Sequence, residues 1–199
     1  MSGKLKIGDY VCFKQNKMDA FLCAEGILDE NVIVESSLAA FENGVFQVHL
    51  QRQYSALTEF YSFLKENPDA EKSEDPSIVK YYEALLRGKE NELKLNESYM
   101  EKKKKLGTVI CFGDSIQLLH VRSGKFLTIY PEQLARDERE NIRLGLSSEG
   151  NTMSWMQLLP RLKIDRPGDP ILSIADIFLK LADRPNEFLH CSDKEPPEG

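Results

Sequence analysis

Three times along the chain, an apolar run is followed ten residues after its start by Phe-Leu, and this spacing constrains the fold more than any other feature. The runs begin at Val11, Ile116 and Phe178, and the pairs are Phe21-Leu22, Phe126-Leu127 and Phe188-Leu189. Polar turn formers lie between them: Gln15-Asn16-Lys17, Arg122-Ser123-Gly124-Lys125 and Asp183-Arg184-Pro185-Asn186. Apolar and aromatic residues flanking a short polar loop predict a β-hairpin. A hairpin alone has nowhere to bury its apolar face, so three copies predict closure on a shared core. The expected fold is mainly β: a β-trefoil, a six-stranded barrel capped by three hairpins. Gly8-Asp9 and Gly113-Asp114 precede the first two runs and extend the repeat, whereas the last unit has no clear Gly-Asp before Ile177.

The repeats are unevenly spaced, 105 residues from Val11 to Ile116 and 62 from Ile116 to Phe178. A helical pattern occupies the longer interval. Leu57, Phe60, Tyr61 and Leu64 fall at i, i+3, i+4 and i+7, one face of a helix that Ser55 can cap. Asn67-Pro68 breaks it, and Asp75-Pro76 supplies an N-cap and first turn for a second helix. Ile78, Tyr81, Tyr82 and Leu85 carry that helix toward Lys104, with Gly88 weakening it midway and Leu106-Gly107 ending it. The expectation is one domain over 1–199, with a helix-turn-helix arm inserted in the first repeat at about 54–105.

Charge and composition exclude several classes. Net charge is −6, against the basic footprint of a general nucleic-acid binder. No run approaches 18 apolar residues, and the first residues, Met1 to Asp9, lack the apolar core of a signal peptide. The expectation is a cytosol-facing segment that does not itself insert in a membrane. Cys12, Cys23, Cys111 and Cys191 form no CxxC pair and read as free thiols. His49, His120 and His190 have no histidine partner at metal-ligand spacing, and no nucleophile elbow, Walker loop or dinucleotide turn occurs. No enzyme, cofactor or metal site is expected. Asn96-Glu97-Ser98 spells a sequon, which reads as coincidence without a secretory signal. Lys102, Lys103, Lys104 and Lys105 form the strongest basic signal: a contact for an anionic surface, or a solvated helix end complementing the helix dipole. A sugar-binding trefoil is disfavoured because no Gln-x-Trp motif occurs and Trp155 is the only tryptophan.

The segment from Leu106 to Thr128, with its Leu-Gly-Thr-Val-Ile lead, Ile-Gln-Leu-Leu-His strand and Ser-Gly-Lys-Phe-Leu-Thr hairpin, resembles the second trefoil unit of inositol trisphosphate receptors. Ile7-Gly8-Asp9 and the run Ala24 to Asp29 resemble the opening unit of that family. Arg52 to Ala56 resembles the start of its helical arm and Asn96-Glu97-Ser98 a stretch near the arm's end. Gly150-Asn151 with Ser154-Trp155 resembles the loop after the second unit. The similarity runs in collinear order along nearly the whole chain.

This resemblance implies the amino-terminal suppressor domain of a calcium-release channel on the cytosolic face of the endoplasmic reticulum. Such a domain does not bind the inositol phosphate itself. It lowers ligand affinity and couples binding to gating by contacts with the ligand-binding core of the same polypeptide, with neighbouring subunits of a homotetramer and with regulatory proteins. The coupling surface maps to the loop after Ser-Trp, residues 155–169, where Arg161, Lys163, Asp165 and Arg166 are the candidate intersubunit contacts and Trp155 reads as core. The family commonly has an aromatic pair after the tryptophan, where this chain has Met156-Gln157, and an aromatic there would be a natural anchor. Two other readings remain open. One is the equivalent domain of a ryanodine-receptor-like channel. The other is a free-standing trefoil adaptor that binds anionic lipid through Lys102–Lys105.

Overall fold

The computed structural model describes residues 3–36, 38–105, 107–184 and 186–192, and these are mainly antiparallel β with two long helices. The chain divides into two compact units, one of residues 1–51 with 107–199 and one of residues 52–106.

Three strand segments from distant parts of the β unit meet in a ring of backbone hydrogen bonds. The Leu5 N–H donates to the Ile171 carbonyl (2.8 Å), Ile171 donates to Ile110 (2.9 Å), and Ile110 donates back to Leu5 (2.9 Å). All three side chains are buried, so each bond is made out of water, where an unpaired backbone group would cost about 1–3 kcal/mol. A tight turn follows each ring residue: Lys6–Asp9, Cys111–Asp114 and Leu172–Ala175, each closed by a backbone bond of 3.0–3.1 Å. In the first two turns Gly8 (φ 87°) and Gly113 (φ 93°) take the third place, a left-handed backbone that glycine adopts without strain. Asp9 and Asp114 then accept the Lys6 and Cys111 N–H groups at 2.8 Å. Ile174 and Ala175 stand in those places in the third turn, without the positive φ or the carboxylate. The missing Gly-Asp turn exists elsewhere. Arg166–Asp169 closes in the same way, with Gly168 at φ 93° and the Asp169 carboxylate on the Arg166 N–H, but ahead of the ring residue Ile171.

From the ring the chain enters strands β1 (Tyr10–Val11), β2 (Lys14–Gln15), β3 (Ala20–Ala24), β4 (Val32–Glu35) and β5 (Phe46–Leu50). The later strands are β6 (Ser115–His120), β7 (Lys125–Leu134), β8 (Ile142–Ser147), β9 (Met156–Pro160) and β10 (Ile177–Leu181). β2, β3 and β4 form one sheet; the other seven form a second, in order β1-β5-β6-β7-β8, with β9 joining β6 to β10. Among the described residues the ladders do not close into a barrel. They do repeat a rule: β5 lies between β1 and β6, and β9 lies between β6 and β10. The core is filled from these strands by Phe46, Val48, Ile116, Leu118, Phe126, Leu127, Leu146, Met156, Leu158 and Leu181, each worth roughly 1.5–3 kcal/mol when fully buried.

The first two hairpins form where the spacing predicts them, and their ladders set Lys14 opposite Phe21 and Leu119 opposite Phe126. The third differs. Pro160 faces Ile177 just as Leu50 faces Ile116, so Ile177, and not Phe178, takes the place of Ile116. Lys180 then bridges Phe188 across a loop one residue longer, and Phe178 points outward onto the Phe188 ring, centroids 6.0 Å apart. Pro185 of that loop lies outside the described residues.

In the helical unit, α1 (Ser55–Glu66) and α2 (Pro76–Lys105) form the two helices. Ser55 does not cap α1; it is the first helical residue, and Tyr54 in the cap position supplies no side-chain bond. The cap comes from α2. The Glu92 carboxylate accepts the Ala56 and Leu57 N–H groups and the Ser55 hydroxyl, all at 3.0 Å, which satisfies the orphan donors and places a negative charge at the positive end of the helix dipole. One turn further along α2, Asn96 exchanges two hydrogen bonds with the Gln53 backbone (3.0 and 2.9 Å) and is buried, so the sequon asparagine is a structural residue. Asp75 caps α2 as expected, accepting the Ser77 N–H at 2.8 Å. Leu106, expected to end α2, lies outside the described residues.

Candidate functional site

Two loops of the β unit display aliphatic side chains on a backbone held rigid by its own polar groups. The first follows β3. The Glu25 carboxylate accepts the N–H groups of Ile27 (2.8 Å) and Leu28 (2.6 Å), and Asp29 accepts that of Asn31 (2.8 Å). The Leu28 and Ile27 N–H groups, with Arg122 nearby, hold the Glu25 carboxyl below its usual range. Gly26 (φ 74°) lies against the next hairpin so closely that a Cβ there would meet the Ser123 Cβ and Oγ at 2.7 Å. On the far side, the Glu30 carbonyl accepts the Leu146 N–H (3.0 Å) and the Glu30 carboxylate pairs with Lys125 (3.1 Å). The tip held this way leaves Ile27 60% and Leu28 91% exposed. Soluble surfaces tolerate single apolar residues, but two adjacent ones on a pinned tip within an acidic stretch form a ready contact point.

The second loop follows β9 and contains the residues singled out from sequence. It is pinned at both ends: the Arg161 N–H donates to the Asp176 carbonyl (3.2 Å), and Phe112 exchanges backbone bonds with Gly168 (2.9 Å) and Asp169 (3.0 Å). Between these anchors Arg161, Lys163 and Arg166 are exposed, while Asp165 is half-buried with its N–H on the Leu162 carbonyl (3.2 Å). The structure thus brings all four candidates together on one loop. It adds Leu162 and Ile164, the latter 81% exposed, set among the three cations.

Trp155, expected in the core, is half-buried at the end of a short 3-10 turn, with its carbonyl bonded to the Ala182 N–H (2.9 Å). Met156 is the core residue instead, fully buried and facing Ile116 and Leu181 across its strand neighbours. A side chain at 156 points inward whatever its identity, so the exposed anchors of this segment are Leu162 and Ile164. Neither the Leu162–Ile164 pair nor Ile27-Leu28 was singled out from sequence. The available signal was short: aliphatic residues interrupting otherwise polar stretches.

Lys102, Lys103 and Lys104 lie on the last turn of α2, where cations complement the dipole. Lys103 sits 5.7 Å over the Tyr99 ring, and the Lys105 side chain lies outside the described residues. Of the histidines, His49 and His120 are buried. His120 bonds the Asn43 carbonyl through Nε2 (3.2 Å) and meets the Ser123 hydroxyl at Nδ1 (2.9 Å). A carbonyl only accepts, so Nε2 carries a hydrogen; burial holds the pKa of the ring down. Among the described residues no group of three His, Cys, Asp or Glu could hold a metal ion. No helix among them is long and apolar enough to cross a membrane. Each loop thus sets exposed aliphatic side chains beside charged ones.

Comparison with known proteins places the chain in a receptor family. The chain belongs to the inositol 1,4,5-trisphosphate/ryanodine receptor family, whose model matches residues 1–197. Over 182 residues it is 29% identical to the inositol 1,4,5-trisphosphate receptor itr-1 of Caenorhabditis elegans. That alignment covers 85% of this chain and 6% of the worm protein, so the chain corresponds to a small part of its relative.

Proposed function

We propose that this chain is the amino-terminal regulatory, or suppressor, domain of an inositol trisphosphate-gated calcium-release channel. It acts on the cytosolic face of the endoplasmic reticulum, as one β-trefoil domain over residues 1–199 with the helical unit as an inserted arm. The hydrogen-bonded ring of Leu5, Ile110 and Ile171, with the repeated placing of β5 and β9, supports the trefoil reading. The domain does not bind the inositol phosphate. It lowers the affinity of the ligand-binding core and couples ligand binding to gating through contacts with that core and with neighbouring subunits of a homotetramer. The observation that carries this reading is the pair of pinned loops, Ile27-Leu28 and Leu162–Ile164 with Arg161, Lys163 and Arg166, which present bare apolar anchors beside charge. Contacts that differ between the resting and liganded channel would supply a coupling free energy, typically about 1–3 kcal/mol.

The experiment is a titration of inositol trisphosphate into this chain alone and into the ligand-binding portion of the receptor with and without it. No binding to the chain alone, and a several-fold weaker affinity when it is attached, is the expected result. Leu28→Asp and Ile164→Asp should each restore the affinity of the unattached ligand-binding portion while leaving the thermal midpoint of this chain unchanged. Tight binding by the chain alone, or an affinity indifferent to its presence, overturns the reading.

A further inference from the structure

Glu138 gathers two distant stretches of the β unit onto one carboxylate. It stands in the β7–β8 connection, where the Ala135 N–H donates to the Asn141 carbonyl (2.8 Å) and the Asn141 N–H to the Glu138 carbonyl (2.9 Å). Its Oε2 accepts the Asn141 side-chain amide (2.6 Å) and His190 Nε2 (3.0 Å), and its Oε1 accepts the Ser192 hydroxyl (2.9 Å). The Glu138 side chain is 17% exposed, so these bonds form largely out of water. On the other stretch, the Leu189 N–H donates to the Leu179 carbonyl (2.9 Å), and beyond that rung His190 and Ser192 reach back to Glu138 across 52 and 54 residues. The carboxylate is therefore a clasp between the β7–β8 connection and the segment that follows the third hairpin. A carboxylate only accepts, so Ser192 must supply the hydrogen of its bond.

Ser192 lies in irregular backbone and is followed in sequence by Asp193 and Glu195. Acid-directed protein kinases read carboxylates just after the serine with basic side chains of their substrate groove, and they take the substrate extended. Ser98 and Ser173 also precede an acid by three residues, but one lies inside α2 and the other inside the tight Leu172–Ala175 turn.

We propose that Ser192 is a phosphorylation site for an acid-directed kinase and that its phosphate opens the Glu138 clasp. The Ser192 hydroxyl takes the γ-phosphoryl group of ATP, loses its proton, and ADP departs. The oxygen that donated to Glu138 then has no hydrogen to give. A phosphate of about −1.5 to −2 charge stands in its place, against a carboxylate of the same sign. Repulsion and the lost bond both favour release of residues 190–192 from the β7–β8 connection, and hydrolysis of the phosphate ester restores the clasp. The inference stands on this contact and is independent of the proposed function.

The test is incubation of the 199-residue chain with casein kinase II, magnesium and ATP, followed by phosphopeptide mapping, NMR and hydrogen exchange. Ser192 should carry a phosphate. The nuclear Overhauser contact between the His190 ring and the Asn141 side-chain amide, 3.5 Å away, should be present before the reaction and lost after it. The Leu189 amide should exchange several-fold faster, while the amides of Leu5, Ile110 and Ile171 keep their rates. Ser192→Ala should show no change on exposure to the kinase. In Glu138→Gln the new amide can donate to the phosphate, so the phosphorylated variant should keep the His190–Asn141 contact. An unmodified Ser192, or a phosphate there that leaves the contact and the Leu189 rate unchanged, overturns the proposal. Faster exchange at Leu5 and Ile110 as well, or an equal loss of contact in phosphorylated Glu138→Gln, overturns it too, because neither is release by charge at this clasp.

Discussion

The β unit and the helical unit satisfy the backbone at their element ends by different means. In the β unit, Leu5, Ile110 and Ile171 come from three distant stretches and bond one another, so the ring exists only when all three have folded. In the helical unit, Glu92 and Asn96 reach back to Ser55, Ala56, Leu57 and Gln53, partners at most 43 residues away. Backbone meets backbone in the first case, and side chain meets backbone in the second. A single substitution can therefore remove a cap from the helical unit, but it can reach the β ring only through the packing that holds it. Loop closure is also cheaper over the shorter separation, though the cost grows only slowly with length.

Substitutions rank this contrast. Phe46→Ala removes a fully buried ring packed on Phe13 and His120, and should cost about 3–5 kcal/mol, read as a lowered denaturation midpoint. A loss under about 1 kcal/mol would break the claim that long-range packing holds the β unit. Glu92→Ala strips three donors of one acceptor and should cost about 1–3 kcal/mol, with faster hydrogen exchange in the first turn of α1 and unchanged exchange at Leu5 and Ile110. Spread of the effect to the ring would erase the distinction between the units.

The third substitution concerns pH. Burial lowers the pKa of His120 in the folded chain, so below about pH 6.5 the unfolded chain takes up a proton that the native state resists. Stability should be intact above that pH and fall as the pH drops toward the folded-state pKa. His120→Gln should flatten this part of a stability–pH curve, and an unchanged slope would remove His120 as its cause. The smallest effect is a gain. Gly88 lies inside α2, and a Cβ there would meet only the Ala56 Cβ, at an ordinary 3.8 Å. Gly88→Ala should therefore stabilise by about 0.5–1 kcal/mol in thermal melts. A loss would mean that α1 and α2 pack more tightly at this point than the geometry allows.

Much of the local structure was legible in the residues. The spacing from Val11 to Phe21 and from Ile116 to Phe126 anticipated two hairpins, because turn formers and apolar runs act over a few positions. The third spacing named the right hairpin but the wrong residue. Phe178 matches by count, yet the ladder with β9 gives the place to Ile177, and spacing alone cannot see a loop one residue longer. Asp75-Pro76 was readable as a helix start because its cap is local; the cap of α1 was not, because Glu92 is far along the chain. The cations of the second loop were visible as charges. Ile27, Leu28, Leu162 and Ile164 were not visible as a site, since an aliphatic residue has the same letter whether it fills a core or faces water.

By itself, the sequence determined where hairpins and helices form, because hydrophobic period, turn residues and Asx caps are local physics. Only the tertiary structure decided which of those residues are buried. Met156 is sealed between β6 and β10, and Leu28 stands almost bare, because strand register and the Gly26 approach to Ser123 set the direction of each side chain. Exposure belongs to the assembled neighbours and to no residue alone.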